Sequence, residues 1–180
     1  MLRTSNLFFD LSILGIAIML FSSCDNPEEK ERPSPLRVDS TEIAGVLLKI
    51  TYSSPAVKNR KIWGGLEPLG KVWRIGANKA TVFETSGPIN IAGNLVPKGK
   101  YSIFAIPDST HWELIFNNQW DQWGAYDYHK DKDLFRLEII PEQLDSLQER
   151  LSFKFADDAL KFRWEHLGFD LPITSPSSHQ

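Results

Sequence analysis

Ile89-Asn90-Ile91-Ala92-Gly93-Asn94-Leu95-Val96-Pro97-Lys98-Gly99-Lys100-Tyr101-Ser102-Ile103-Phe104-Ala105-Ile106 alternates short apolar runs with turn residues. Ile89 to Ala92 is too short for a stable helix. It leads into Ala92-Gly93-Asn94-Leu95, where Gly93 can take positive φ and close a tight hairpin. Pro97-Lys98-Gly99 marks a second turn before the apolar run Tyr101 to Ile106. Strands this short, punctuated this often, define an all-β texture.

The same texture continues outward. Upstream, Thr81 to Thr85 is separated from Ile89 by Ser86-Gly87-Pro88, and Val46 to Tyr52 places Leu48, Ile50 and Tyr52 on one face of a strand. Downstream come Trp112 to Phe116 and Leu134 to Ile140, the latter with Leu134, Arg136 and Glu138 opposite Phe135, Leu137 and Ile139. Leu151 to Phe155 and Leu160 to Trp164 form a hairpin over Asp157-Asp158, and Phe169 to Ile173 closes the sheet. The expected fold is a single antiparallel β-sandwich-like domain. One stretch dissents: Leu144, Leu147 and Leu151 recur at helical intervals behind Pro141, so at most one short helix is expected, near residues 142–150.

The ends read differently. Met1 to Asn6 carries Arg3 and no acid, Leu11 to Phe21 is apolar but short for a bilayer span, and Ser22-Ser23 precede Cys24. Small residues before a cleaved bond suit a signal peptidase, and Leu20-Phe21-Ser22-Ser23-Cys24 resembles a bacterial lipobox, with Phe21 where a smaller residue is usual. The expectation is a lipoprotein signal peptide over 1–23 and lipid attachment at Cys24; the alternatives are an ordinary signal peptide or a short anchor with an incidental cysteine. Cys24 is the only cysteine among 180 residues, so no intrachain disulfide or thiolate cluster is available. Residues 24–40 form a charged, proline-bearing tether, 41–173 the β domain, and 174–180 a polar, disordered tail. The early acids Asp25, Glu28 and Glu29 resemble the signals that send some Bacteroidetes lipoproteins to the cell surface. The expected location is the cell envelope, lipid-anchored, on the periplasmic face of an outer membrane or on the cell surface.

A formal charge of -3 with scattered basic residues excludes a nucleic-acid partner. The motifs of zinc peptidases, serine hydrolases, phosphate loops and dinucleotide folds are missing, so no catalytic residue, cofactor or metal is assigned. Asp127 to Asp133 with Glu138 spaces oxygen ligands like a calcium loop, but Lys132 and His129 stand where glycine and an oxygen ligand are needed, which leaves a solvated turn.

Several segments together are distinctive: Tyr52 to Leu66, Pro68 to Thr81 (with Val72-Trp73-Arg74-Ile75-Gly76-Ala77-Asn78), Pro97 to Phe104, and Asn117 to Tyr126 ending Gln122-Trp123-Gly124-Ala125-Tyr126. These resemble the DUF2911 family, a domain of unknown function common in Bacteroidetes, over about residues 43–173. The resemblance implies an exported, predominantly β domain and no particular chemistry. Asn59 stands where the family often has Gly.

Two loop regions are the candidate ligand sites. Lys61, Trp63, Trp73, Arg74 and Asn78 offer aromatic faces beside cationic and amide donors, and Trp120, Trp123 and Tyr126 crowd one short loop. Such groups suit a glycan or a small anionic ligand. If they form one pocket, Trp63, Trp73 and Trp123 should line a single open cleft with Arg74. The alternatives are Trp73 in the core and the Trp120 loop folded over a sheet. The function expected is a non-enzymatic envelope binding or interaction module, with an envelope glycan hydrolase or a structural subunit of a larger complex as rivals.

Overall fold

The computed structural model describes residues 33–176. The signal peptide expected over 1–23, the lipid attachment expected at Cys24 and the expected tether up to Arg32 lie outside the described residues, as does the expected tail from Ser177. The described chain is an antiparallel β sandwich of two sheets. The larger sheet runs in the order β1 (Leu36–Ile43), β2 (Val46–Ser53), β3 (Thr81–Thr85), β6 (Gly99–Ile106), β7 (Trp112–Asn117), β8 (Asp133–Ile139). The smaller runs β5 (Asn94–Val96), β4 (Ile89–Ile91), β10 (Ala159–Thr174), β9 (Glu142–Ala156). A single 3-10 turn, Lys130–Lys132, precedes β8.

Alternation explains the layering. Leu48, Ile50 and Tyr52 of β2 face inward beside Phe83, Tyr101, Ile103, Leu114 and Phe116. The smaller sheet answers with Ile89, Ile91, Val96, Leu151, Phe153, Leu160 and Phe162. Each such side chain, fully removed from water, contributes about 1.5–3 kcal/mol. The two-residue turns Ala44-Gly45 and Ala92-Gly93 have φ of 50° and 78°, and 47° and 80°. Those values match the right-handed strand twist that makes such turns favourable. Asp157-Asp158 is likewise left-handed at both positions.

Three expectations are corrected. The helix at 142–150 is instead the first part of β9. Gln143 pairs with Leu167 and Gln148 with Glu165 on one edge. On the other edge Val57 N–H donates to Glu149 O at 2.8 Å and Leu151 N–H to Pro55 O at 3.0 Å. With backbone partners on both edges, and Leu147 left exposed, the helical spacing of leucines has no face to bury. The stretch 36–40, expected as part of a tether, instead belongs to β1. Asp39 of β1 accepts Phe155 N–H at 2.7 Å, tying the two sheets together.

The third concerns the last strand. Leu160, Phe162 and Trp164 are buried at even positions, Phe169, Leu171 and Ile173 at odd ones. A single strand normally cannot do this, since faces alternate with period two. The register shifts on either side of Glu165, which has φ of 56°. This bulge flips the parity, so what reads as two strands is one.

Candidate functional site

The long connection between β2 and β3 is packed, not free. Val57, Ile62, Trp73 and Ile75 are all buried. Trp73 exchanges backbone hydrogen bonds with Ala105 at 2.7 and 2.8 Å, and its indole donates to Gly76 O at 3.3 Å. Ile75 has φ of 46°, costly for a β-branched residue. Thr81 holds it by donating its hydroxyl to Ile75 O at 2.9 Å. Lys58 and Asn59 are also left-handed, with φ of 48° and 55°, so Asn59 is a sensible replacement for glycine there.

Four of the six tryptophans meet at this end of the core. Trp73 stacks on Trp164 at 5.6 Å and 22°, while Trp63 meets Trp112, Trp164 and Trp73 edge-on at 4.6, 5.6 and 5.7 Å. Each such pair contributes roughly 0.5–1.5 kcal/mol beyond area burial. Trp63, at the rim, donates Nε1–H to Glu165 at 3.1 Å and with Asp108, Ser109, Gln143 and His166 borders a cavity of about 340 Å³. Arg74 is half-buried and its Nε has no hydrogen-bond partner among the described residues. Burial pushes the nearby Glu67 carboxyl up to about 7, against the pull of Arg74 and Arg60. Lys61 points its charge to solvent and lends only its carbonyl, to Leu66 N–H at 3.0 Å.

Trp123 is elsewhere. The stretch after β7 lies over the outer face of the larger sheet, covering Phe104 and Ile115 with Ala125 and Tyr128. Gln122 is its anchor: buried, with Nε2 donating to Ser102, Asn117 and Gln119. Ala80 N–H donates to Gln122 O at 3.1 Å and Gly124 N–H to Asn78 O at 3.0 Å, with Lys79 bridged to Trp123. Nearby, Asp133 accepts from Tyr128 and from Arg136 Nε at 2.7 Å, and Arg136 also reaches Glu113 and the Tyr128 hydroxyl. Asp133 is therefore committed to this network, in which burial and the Asp133 bond push Tyr128 up to about 12.

Two surface grooves result. One, of about 430 Å³, is lined by Pro33, Ser34, Leu36, Ser53, Asn78, Lys79 and Trp123. Asn78, at φ of 60°, donates to Ser53 Oγ at 3.3 Å, and Lys79 pairs with Asp121 at 2.9 Å. The structure thus joins Asn78 with Trp123, and Trp63 with Trp73, but the four aromatic and cationic groups expected in one cleft are split between the two ends of this connection. Tyr126 stands against Gly124 and is 84% exposed.

The second groove, of about 550 Å³, was not legible as a site in the sequence. Lys49, Glu84 and Lys100 are direct cross-strand neighbours on β2, β3 and β6, paired at 3.3 and 2.8 Å. Hydrogen bonding from Lys100, with Lys49 behind it, holds Glu84 below the usual carboxylate range. Lys98, Ser40, Thr41, Ser86 and Leu47 complete the walls, and Lys100 lies 5.1 Å above the Trp120 ring. Three lysines against one glutamate leave this groove cationic, with hydroxyls and an aromatic edge beside it. The one signal for it is that Lys49 falls on the outer parity of β2.

The architecture and its surface grooves define a compact antiparallel β-sandwich domain with its long connections packed onto the sheets. The chain belongs to the DUF2911 family, described as a protein of unknown function, over residues 34–173. No curated protein and no solved structure matches it.

Proposed function

We propose that this is a lipid-anchored cell-envelope protein whose β domain is a non-enzymatic binding module for a small anionic ligand, an acidic glycan best fitting the groove. The observation that carries the reading is the cationic groove of Lys49, Lys98 and Lys100 beside Trp120. Ammonium groups meet carboxylate or sulfate, the hydroxyls of Ser40 and Thr41 meet sugar hydroxyls, and an indole edge meets a ring face. Cys24 supplies the anchor, since several acyl chains at about 0.8 kcal/mol per buried methylene hold stably where one does not.

Titration calorimetry of the mature, lipidated chain with uronic-acid and neutral oligosaccharides tests this. Saturable binding of the acidic set is expected, weakened by salt and by combined Lys49→Gln, Lys98→Gln and Lys100→Gln. Equal affinity for neutral sugars, or indifference to those substitutions, counts against it. Cys24→Ala should abolish labelling by a fatty-acid probe. A hydrolase reading rests on Asp108 and Glu165, two carboxylates bordering one cavity with His166. Glycan cleavage lost in both Asp108→Asn and Glu165→Gln would favour it.

A further inference from the structure

We infer that Trp123, with Leu36 lining the same groove and Tyr126 three residues further along the same loop, forms a contact with the bilayer interface that seats the domain on the membrane holding Cys24. The inference rests on the lipid-anchor reading above.

The exposure of these side chains is built in. Trp123 is 58% exposed, Tyr126 84% and Leu36 62%. Loops with free aromatics normally collapse onto the nearest apolar surface, but this one has already done so through Gln122, Ala125 and Tyr128. The backbone bridge to Lys79 and the bonds to Asn78 and Ala80 then fix Trp123 facing outward. Tyr126 lies with its ring against Gly124, where a Cβ would come within 2.9 Å of it, and still leaves most of its surface to solvent.

Where the tether arrives selects the occupant. Pro33 and Ser34 line the same groove as Trp123. Cys24 lies nine residues before Pro33, so even a fully extended link reaches at most about 30 Å. The described chain therefore begins beside Trp123, which makes this surface the one where the link from Cys24 joins the domain. Trp and Tyr are the side chains favoured at the membrane–water boundary, one end apolar and the other wet. The exposed Lys79–Asp121 pair supplies a polar rim. The cationic groove opens on Ser40 and Thr41, further along β1 from Leu36 by roughly 15 Å at the usual strand rise. Seating the domain by its Trp123 end leaves that groove open to the aqueous side.

The lone cysteine makes the test simple. With Cys24 acylated, Tyr126→Cys provides one free thiol for an environment-sensitive nitrobenzoxadiazole probe, and Lys98→Cys provides the same at the distal groove. The lipidated variants are placed in phosphatidylethanolamine–phosphatidylglycerol vesicles carrying a headgroup-region spin-labelled lipid. At least about twofold quenching is expected at position 126, since the interface holds both probe and quencher, with little at 98. Adding Trp123→Ala and Leu36→Ser should reduce the quenching at 126 while the chain stays on the vesicles. Equal, weak quenching at both positions on vesicle-bound protein overturns the contact and leaves the anchor standing. Protection of the 126 probe by soluble oligosaccharide, and not by lipid, assigns the groove to sugar and also overturns it. Protein that neither carries acyl label nor sediments with vesicles means the anchor reading has failed, and the contact with it.

Discussion

Trp63 and Glu165, 102 residues apart in sequence, are joined by an indole N–H···carboxylate bond of 3.1 Å. Glu165 is also the left-handed residue of the β10 bulge, so one side chain closes the rim of the tryptophan cluster from a strained backbone. Glu165→Gln keeps an acceptor and should change stability by only a few tenths of a kcal/mol. Glu165→Ala removes the acceptor and keeps the strain, at a cost of about 1–2 kcal/mol. Glu165→Gly removes the acceptor but relieves roughly 1 kcal/mol of backbone strain. Urea denaturation should therefore rank Gln above Gly above Ala, and a Gly variant less stable than Ala would refute the strain argument.

Glu67 makes stability depend on pH. Its folded-state pKa is raised from 4.5 to about 7 by burial, so the folded protein holds that proton more tightly than the unfolded chain. Its contribution is fully present below about pH 4.5 and is lost as pH rises through 7. Glu67→Gln cannot ionise, so it should match the wild type at pH 4 and exceed it at pH 8. The expected gain is about 1–2 kcal/mol, allowing for solvent screening. A gap that does not widen between those pH values would mean that Glu67 is not desolvated.

Asp39 is the acceptor for Phe155 N–H across the two sheets. Asp39→Ala leaves that donor without its partner and should cost about 1–3 kcal/mol, whereas Asp39→Asn retains an oxygen and should recover most of it. Amide hydrogen exchange at Phe155 gives an independent readout, with faster exchange expected in the Ala variant alone.

Trp164 is fully buried yet its Nε1–H has no partner among the described residues. Trp164→Phe discards an unsatisfied donor along with part of a ring, so the two effects oppose each other and the net cost should stay near 1 kcal/mol. Trp164→Ala opens a cavity against Trp73 and should cost about 3–5 kcal/mol. If Phe is nearly as damaging as Ala, an unseen partner satisfies the indole.

The strands were legible because a half-buried strand must alternate: Leu48, Ile50 and Tyr52 all face the core as their spacing demands. The Ala92-Gly93 and Asp157-Asp158 turns were legible for a related reason, since few residue pairs accept positive φ twice. The bulge at Glu165 was not, because its parity change is visible only once both halves of β10 are known to face one core. Gly168 hints at it, as a Cβ there would fall 2.6 Å from Arg163 Cδ. Residues 142–150 misled because isolated leucine spacing cannot reveal backbone partners contributed by Pro55 to Val57. Of the candidate sites, Asn78 and Trp123 did share a groove. The Lys49–Glu84–Lys100 row stayed hidden, since cross-strand register is a property of three strands at once.

The strand order of the smaller sheet also sets a timetable. The β4–β5 hairpin is complete by Val96, yet its partner in the sheet is β10, joined at Ile91–Ile173 and Asn90–Thr174. A chain that emerges N-terminus first therefore carries the β4–β5 hairpin without its β10 partner until Ile173 and Thr174 have been made. The larger sheet has no such wait, for all its strands have appeared by Ile139. Shortening the chain by even a few residues before Ile173 should thus injure a hairpin made some eighty residues earlier, and an unfinished chain of this design stays open to aggregation and to proteases for the whole of that interval.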